Sequence, residues 1–146
     1  MPHLTLTVDA LGPLVSVGVG ISESMRLALT AAGRPHPNLQ MARALVDTGA
    51  SCSVVDPDIV NALGLSPISF APVHTPSTGG IPVQQPVYDV SIWLYHAKNN
   101  HIFERSFPVM CAPLKAQRID MLLGRDMLSE CLLVFDGPNK AFTIAF

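Results

Sequence analysis

The sequence predicts an all-β domain, and three observations carry that prediction. Thirteen prolines and ten glycines among 146 residues break the chain into short segments, which a helix bundle would not tolerate. Apolar and polar residues alternate in several of these segments, as they do in half-buried strands. Hydrophobic residues make up 49% of the chain and charged residues only 14%. This balance supplies a core, excludes intrinsic disorder and fits one domain over residues 1–146.

Strands dominate the part of the chain that leads to its first polar motif. Three segments there are predicted to be strands, namely residues 4–8, 15–21 and 41–46. The stretch 25–32 could begin either a strand or a short helix, and residues 33–38 are typical of a loop. The strand over 41–46 runs directly into Asp47-Thr48-Gly49.

The rest of the chain is predicted to contain further strands and two short helices. Asp56-Pro57 is typical of a helix start, and this helix should end at Gly64. A second short helix should follow Gly124, whereas the glycine-rich stretch 77–80 is typical of a hairpin tip. Four further segments read as strands, the last two forming a terminal hairpin: residues 87–95, 102–110, 132–135 and 141–146. Residues 119–123 are apolar.

Composition argues against several classes of function. A net charge of −2 and an isoelectric point near 6.2 do not fit a nucleic-acid binder, which needs clustered Lys and Arg. The longest apolar runs, such as residues 131–135, are the size of a strand and far shorter than a membrane span. The chain does not open with the pattern of a secretory signal, so we expect a cytoplasmic protein.

Neither a metal nor a cofactor is expected. The cysteines at positions 52, 111 and 131 are odd in number and form no C-x-x-C pair, which indicates reduced thiols. We interpret Cys52, which follows the first polar motif, as a packing residue rather than a nucleophile. His96 and His101 lie on either side of a turn, and we interpret them as solvated surface histidines.

Two motifs carry the chemistry of the chain. Asp47-Thr48-Gly49 on its own would be an ordinary turn, with Asp as a cap and Gly supplying an unusual backbone angle. The segment Leu122-Leu123-Gly124-Arg125-Asp126 comes much later in the chain and stands before a short helix. The glycine-rich hairpin tip lies between the two motifs. The three features in this order are more specific than any one of them alone.

Together these features resemble the retropepsin-like aspartic protease family, in a single-domain member from a non-viral or cellular source. The resemblance implies a closed β-barrel of the acid-protease type with a short C-terminal helix. It implies that Asp47 is catalytic. It also implies that three segments support the active site or contact the substrate. They are the loop that begins at Asp47 (the catalytic loop), the glycine-rich hairpin (the flap) and the segment 122–126 (the closing motif). Their residues with such a role are Thr48, Gly49, Ala50, Ser51, Thr78, Gly79, Gly80, Ile81, Leu123 and Gly124.

The chemistry that the resemblance implies needs two carboxylates, and the chain supplies one Asp-Thr-Gly motif. Two carboxylates about 3 Å apart cannot both ionise, so they share a proton around the attacking water. Asp136-Gly137 lacks the middle hydroxyl residue and does not supply the second motif. We therefore expect a homodimeric endopeptidase that acts on peptide or protein substrates. Strands 4–8 and 142–146 are candidates for the sheet between the subunits.

Some features depart from the viral pattern of the family. Residues 22–40 resemble an insertion, which could either lengthen a hairpin away from the site or border the substrate cleft. Ser51 stands where viral members usually have an acidic partner for the closing-motif arginine. The sequence therefore leaves three candidates for the group that pairs with the Arg125 side chain: Asp126, Asp120 and a residue of the other subunit. The alternative function is a catalytically silent retropepsin-like module for dimerisation or peptide binding.

Overall fold

The computed structural model describes residues 1–74, 79–96 and 101–146. Ten strands lie in these ranges: β1 (His3–Thr7), β2 (Leu14–Ile21), β3 (Gln40–Val46), β4 (Val54–Val55), β5 (Ser69–Val73), β6 (Val83–His96), β7 (His101–Cys111), β8 (Met121–Leu123), β9 (Leu132–Asp136) and β10 (Ala141–Ala145). The α-helices of the same ranges are α1 (Glu23–Ala31), α2 (Pro57–Ala62) and α3 (Arg125–Leu128). No helix of this described part is long and apolar enough to cross a membrane.

Six strands close into a barrel. Their order is β2-β3-β8-β4-β7-β6, and β6 pairs back with β2 while β5 adds to the outer edge of β6. Alternation along the strands sends one set of side chains inward, where Val17, Val19, Ile92 and Leu94 are fully buried. The closed barrel and the short helix α3 near the C-terminus confirm the fold class predicted from the sequence.

A second, three-stranded sheet combines the two ends of the chain in the order β1-β10-β9. Its inner face carries Phe142 and Ile144 into the barrel core, with Leu4 and Leu6 packed against them. The terminal hairpin β9–β10 is confirmed. The sequence suggests residues 142–146 for the sheet between subunits; in the single chain β10 pairs with β1 on one side and β9 on the other, so it has no open edge. A strand with both edges occupied cannot add a strand from another subunit.

The inserted segment 22–40 forms a helix on the outside of the barrel. Ser22 caps α1 by accepting a hydrogen bond from the Met25 N–H, which resolves the ambiguity between helix and strand in favour of helix. Arg26 forms an ion pair with Glu104, and its guanidinium lies 5.0 Å from the centre of the Trp93 ring. None of the residues of α1 is buried. The insertion therefore packs on the outer surface of β6 and β7.

Helix α2 begins and ends as the sequence predicts. The Asp56 carboxylate caps it by accepting from the Asp58 N–H, and Pro57 occupies the first turn. Asp56 is also 2% exposed and accepts from the N–H groups of Leu114 and Lys115. Gly64 follows the helix with a φ of 66°, which glycine adopts without strain. Asp56 thus joins α2 to the segment that leads into β8.

Asp120 connects β3 to the start of β8. Its carboxylate accepts from the Arg43 N–H at 2.9 Å and from the Lys115 ammonium. Partial burial alone would raise the pKa of Asp120, but these two hydrogen bonds and the positive charges of Lys115 and Arg43 outweigh it. The pKa of Asp120 is therefore lowered.

We expect Asp120→Asn to lower the free energy of unfolding by about 1 kcal/mol at neutral pH. A carboxyl with a lowered folded-state pKa stabilises the fold above its unfolded pKa, and this stability is lost as pH falls through the folded pKa. The difference between the variant and the wild type should therefore shrink below about pH 4. Urea denaturation at neutral and acid pH measures this difference in the free energy of unfolding. Asp58→Asn, a more exposed neighbour of Lys115, is the matched control, and an equal loss in both variants would contradict the role of Asp120.

Candidate active site

The predicted catalytic loop begins where the parallel strands β3 and β8 end side by side. Val46 pairs with Leu123, and the Asp47 N–H donates to the Leu123 carbonyl at 3.0 Å. The predicted catalytic residue and the predicted closing motif, far apart in sequence, therefore meet at one edge of the barrel. Asp47 is half-buried there, whereas Thr48 and Gly49 are exposed.

The backbone of the loop holds one oxygen of the Asp47 carboxylate. The Gly49 N–H donates to Oδ1 of Asp47 at 2.9 Å, and the Ala50 N–H donates to the Asp47 carbonyl at 3.2 Å. A Cβ at position 49 would lie 3.1 Å from Oδ1 of Asp47, which is tighter than most real contacts. Glycine therefore lets the loop close around the carboxylate. Ser51, the last predicted residue of the loop, is exposed.

A hydrogen-bonded clamp joins the chain after the loop to helix α3. Both Asp126 oxygens accept from Ser53: Oδ2 from its N–H and Oδ1 from its hydroxyl, each at 2.7 Å. The Ser53 hydroxyl in turn accepts from the Gly124 N–H at 3.0 Å. Ser53 is fully buried, so these bonds are shielded from water. The clamp fixes the position of the loop relative to the closing motif.

Position 124 requires glycine because a side chain would not fit there, and not because of its backbone conformation. Its φ of −88° and ψ of −177° are extended values that any residue adopts. A Cβ there would lie 2.5 Å from the Cys52 carbonyl carbon and 2.9 Å from the Ser53 nitrogen. Because these atoms belong to the backbone, they cannot rotate away. The glycine therefore permits the two chain segments to approach each other.

Comparison with known proteins decides the family. A sequence model described as aspartyl protease matches residues 30–127, a range that contains both motifs. The chain belongs to the aspartyl protease family. No curated protein resembles it closely enough in sequence to count as a match.

One solved structure shows that this aspartyl protease has the retropepsin-like fold. A retropepsin-like aspartic protease from Rickettsia conorii superposes with a TM-score of 0.58 at 12% identity, over 99% of this chain and 90% of that chain. The EIAV protease complexed with the inhibitor HBY-793 gives a TM-score of 0.44 at 20% identity, over 81% of this chain and 86% of that chain. The retroviral protease-like domain of Ddi1 from Leishmania major gives a TM-score of 0.45 at 15% identity, over 90% of this chain and 87% of that chain.

Arg125 of this aspartyl protease binds the backbone of the catalytic loop. Its Nη1 donates to the Thr48 carbonyl at 2.9 Å, and its own N–H donates to the Ala50 carbonyl at 3.0 Å. The carboxylates of Asp126 and Asp120, both considered as partners from the sequence, are instead engaged by Ser53, by Lys115 and by the β3 backbone. Arg125 thus supports the loop through its carbonyl groups, which a sequence comparison of charged side chains does not reveal.

The predicted flap is the hairpin between β5 and β6. Five residue pairs join the two strands, from Ser69–Val87 to Val73–Val83. Gly79 and Gly80 have φ values of 59° and 83°, which explains glycine at this turn, and Ile81 is 73% exposed. Thr78 lies outside the described residues. The hydrogen bonds of the described residues do not join Gly79, Gly80 or Ile81 to the catalytic loop.

Two of the thiols are poorly suited to nucleophilic chemistry. Burial raises the pKa of Cys111, and the nearby Asp56 carboxylate raises it further. Burial also raises the pKa of Cys131, with a smaller contribution from Glu130. Both are therefore thiols rather than thiolates at neutral pH. No group of three or more His, Cys, Asp or Glu side chains in the described part of the chain could hold a metal ion.

The sequence prediction of the site omitted three supporting residues. Arg125 and Asp126 belong to the closing motif, but the sequence did not show which groups their side chains bind. Ser53 carried no signal at all, because a serine near a turn is ordinary. Its role depends on being fully buried opposite the Asp126 carboxylate, which only the packing of α3 against the loop creates.

Proposed function

We propose that this aspartyl protease hydrolyses peptide bonds as a homodimer, with one domain per chain over residues 1–146. The observation that carries the proposal is the Asp47 loop. It presents a backbone-anchored carboxylate at the exposed end of β3, and the chain contains one such motif. One Asp47 from each subunit would complete the pair of carboxylates that this chemistry requires.

In this mechanism the two Asp47 carboxyl groups share one proton and bind a water between them. The charged carboxylate takes a proton from the water, whose oxygen forms a bond to the carbonyl carbon of the substrate. The protonated carboxyl of the other subunit donates to the carbonyl oxygen. The C–N bond then breaks as the carboxyl that took the proton from the water gives it to the nitrogen, which leaves as an amine. The other carboxylate regains its proton from a hydroxyl group of the intermediate, whose carbonyl re-forms. Peptide hydrolysis is complete without a cofactor.

The other predicted residues would position the loop and the substrate. Gly49 leaves room around the carboxylate, and Gly124 lets the closing motif approach the loop. Exposed Thr48 and Ser51 face the surface where a partner or substrate would dock. In the flap, Gly79, Gly80 and Ile81 would close over the substrate and exclude water, with Thr78 assigned to the same hairpin from the sequence alone.

A peptide library tests the proposal. We expect peptide cleavage in a library screened from about pH 4 to pH 7. Activity per chain should rise with protein concentration until the dimer is saturated, because a monomer holds half of the site. Sedimentation of the same samples gives the fraction of dimer. Full activity in samples that are monomeric would contradict a shared site, and peptide binding without cleavage at any concentration would support the silent module.

A further inference from the structure

Helix α1 forms one wall of a groove on the outer surface of the barrel. The segment 63–68, which connects α2 to β5, forms the other wall, and the loop 34–37 lies at one end. The groove consists of two adjoining hollows of about 290 Å³ and 490 Å³, and Met25 lines both of them. None of the described residues that line it belongs to the catalytic loop, to the closing motif or to the glycine-rich tip of the flap. The groove is therefore separate from the candidate active site.

Apolar side chains from both walls and from the loop line the groove. Six of them are Met25, Leu29, Pro35, Leu63, Leu65 and Ile68. Met25 is 43% exposed and Ile68 is 59% exposed, so water covers surface that an apolar neighbour would cover better. The Thr30 hydroxyl lies 2.9 Å from Nε2 of His36, which ties the loop to the helix. Apolar surface that is held open in this way marks a site where another molecule binds.

The two ends of the groove carry opposite charges. Asp89 lies beside the start of α1, and Arg34 lies near its end, where the Arg34 N–H donates to the Leu29 carbonyl at 2.9 Å. Among the described residues, no cation pairs with the Asp89 carboxylate and no carboxylate pairs with the Arg34 guanidinium. Asp89 is half-buried, and a carboxylate partly removed from water is stabilised by a cation. The charges therefore define the chemistry of an occupant.

The length of the groove fits a short extended peptide. From Ser22 to Leu29 the helix rises about 11 Å, at about 1.5 Å per residue. An extended chain advances about 3.3 Å per residue, so about four residues span the same distance. Charged side chains on either side of these residues would then lie next to Asp89 and Arg34.

We propose that the groove binds an extended segment of a partner protein in which about four apolar residues separate a basic residue from an acidic one. The basic residue pairs with Asp89 and the acidic residue with Arg34, while the apolar residues cover Met25 and Ile68. A segment with two like charges is disfavoured, because one of them meets a like charge on the groove. Binding of this segment requires neither cleavage nor a second Asp47, so the inference goes beyond the proposed function.

Labelled peptides and a pair of lysine substitutions test the groove. The contacts leave the direction of the segment open, so the peptides are Lys-Leu-Ala-Leu-Ala-Glu and Glu-Leu-Ala-Leu-Ala-Lys, each blocked at both ends. Fluorescence anisotropy gives the dissociation constants, and every sample carries Asp47→Asn to prevent cleavage. We expect Met25→Lys to weaken binding of the tighter peptide at least about tenfold, because it places a charge among the apolar contacts. Leu27→Lys, on the same helix but outside the groove and 65% exposed, is the matched control and should stay within about twofold.

Exchange of a charge tests the end assigned to the acidic residue. A third peptide, with lysine at both ends, should bind at least about fivefold more weakly than the tighter of the first two. Arg34→Glu should reverse this preference, because the groove then carries a carboxylate at both ends. Arg118→Glu, at an exposed arginine outside the groove, should leave the preference unchanged.

Several results would overturn the proposal. They are equal binding by Met25→Lys and Leu27→Lys, a preference that Arg34→Glu leaves unchanged, and no binding of any of the three peptides. Sedimentation without peptide tests a different occupant. Loss of association between copies in Met25→Lys but not in Leu27→Lys would assign the groove to a second copy, which also overturns the proposal. Urea denaturation shows that the variants fold.

Discussion

Asp47→Asn is expected to lower kcat for peptide cleavage by about 10³-fold or more, because it removes the carboxylate that takes and gives the proton. The side chains have the same shape, and an amide oxygen can still accept from the Gly49 N–H. The fold and the dimer should therefore be retained, which sedimentation and circular dichroism check. Asp58→Asn, at an exposed carboxylate outside the loop, is the control and should leave kcat unchanged.

Mixing the wild type with Asp47→Asn distinguishes a shared site from a site within one chain. Random pairing at equal amounts leaves about a quarter of the dimers with two Asp47 carboxylates. When the variant replaces half of the wild-type chains and subunits have exchanged, total activity should therefore fall to about a quarter. Activity that stays at half, in direct proportion to the wild-type chains present, would show that Asp47 works without its copy.

Gly124→Ala is expected to destabilise the fold by about 3 kcal/mol and to reduce cleavage with it. The new Cβ would overlap the backbone of Cys52 and Ser53, so either the loop or α3 must move. Movement of either breaks the bonds from Ser53 to Asp126 and shifts the catalytic loop. Urea denaturation measures the loss of stability, and peptide cleavage under conditions where the variant is folded measures the effect on the site.

Gly137→Ala is the matched control for this substitution. A Cβ at Gly137 would meet its nearest atom, in Phe135, at 3.8 Å, which is ordinary contact. The change in free energy of unfolding there should stay within about 0.5 kcal/mol. If Gly124→Ala proved as mild as this control, the close approach of the closing motif to the loop would not be needed for stability.

Local signals were sufficient for most elements of the fold. Alternating apolar residues marked the strands that became β1 and β2, because half-buried strands need this pattern. Asp56-Pro57 marked the start of α2 through its capping chemistry. Residues 25–32 were ambiguous, since both patterns fit so short a segment. Their helix is stabilised by the cap at Ser22 and by the contacts of Arg26 on the barrel surface.

The order of residues along the chain revealed the two motifs, because residue type and spacing are properties of the chain alone. Folding brought the motifs together, since β3 and β8 are parallel neighbours although many residues separate them. Tertiary structure also assigned Arg125 to the loop carbonyls, and Asp126 to buried Ser53. It placed β10 between β1 and β9, which left β9 as the apolar open edge. Alternation specifies which face of a strand is buried and not which strands are its neighbours, so these features depend on how the whole chain packs.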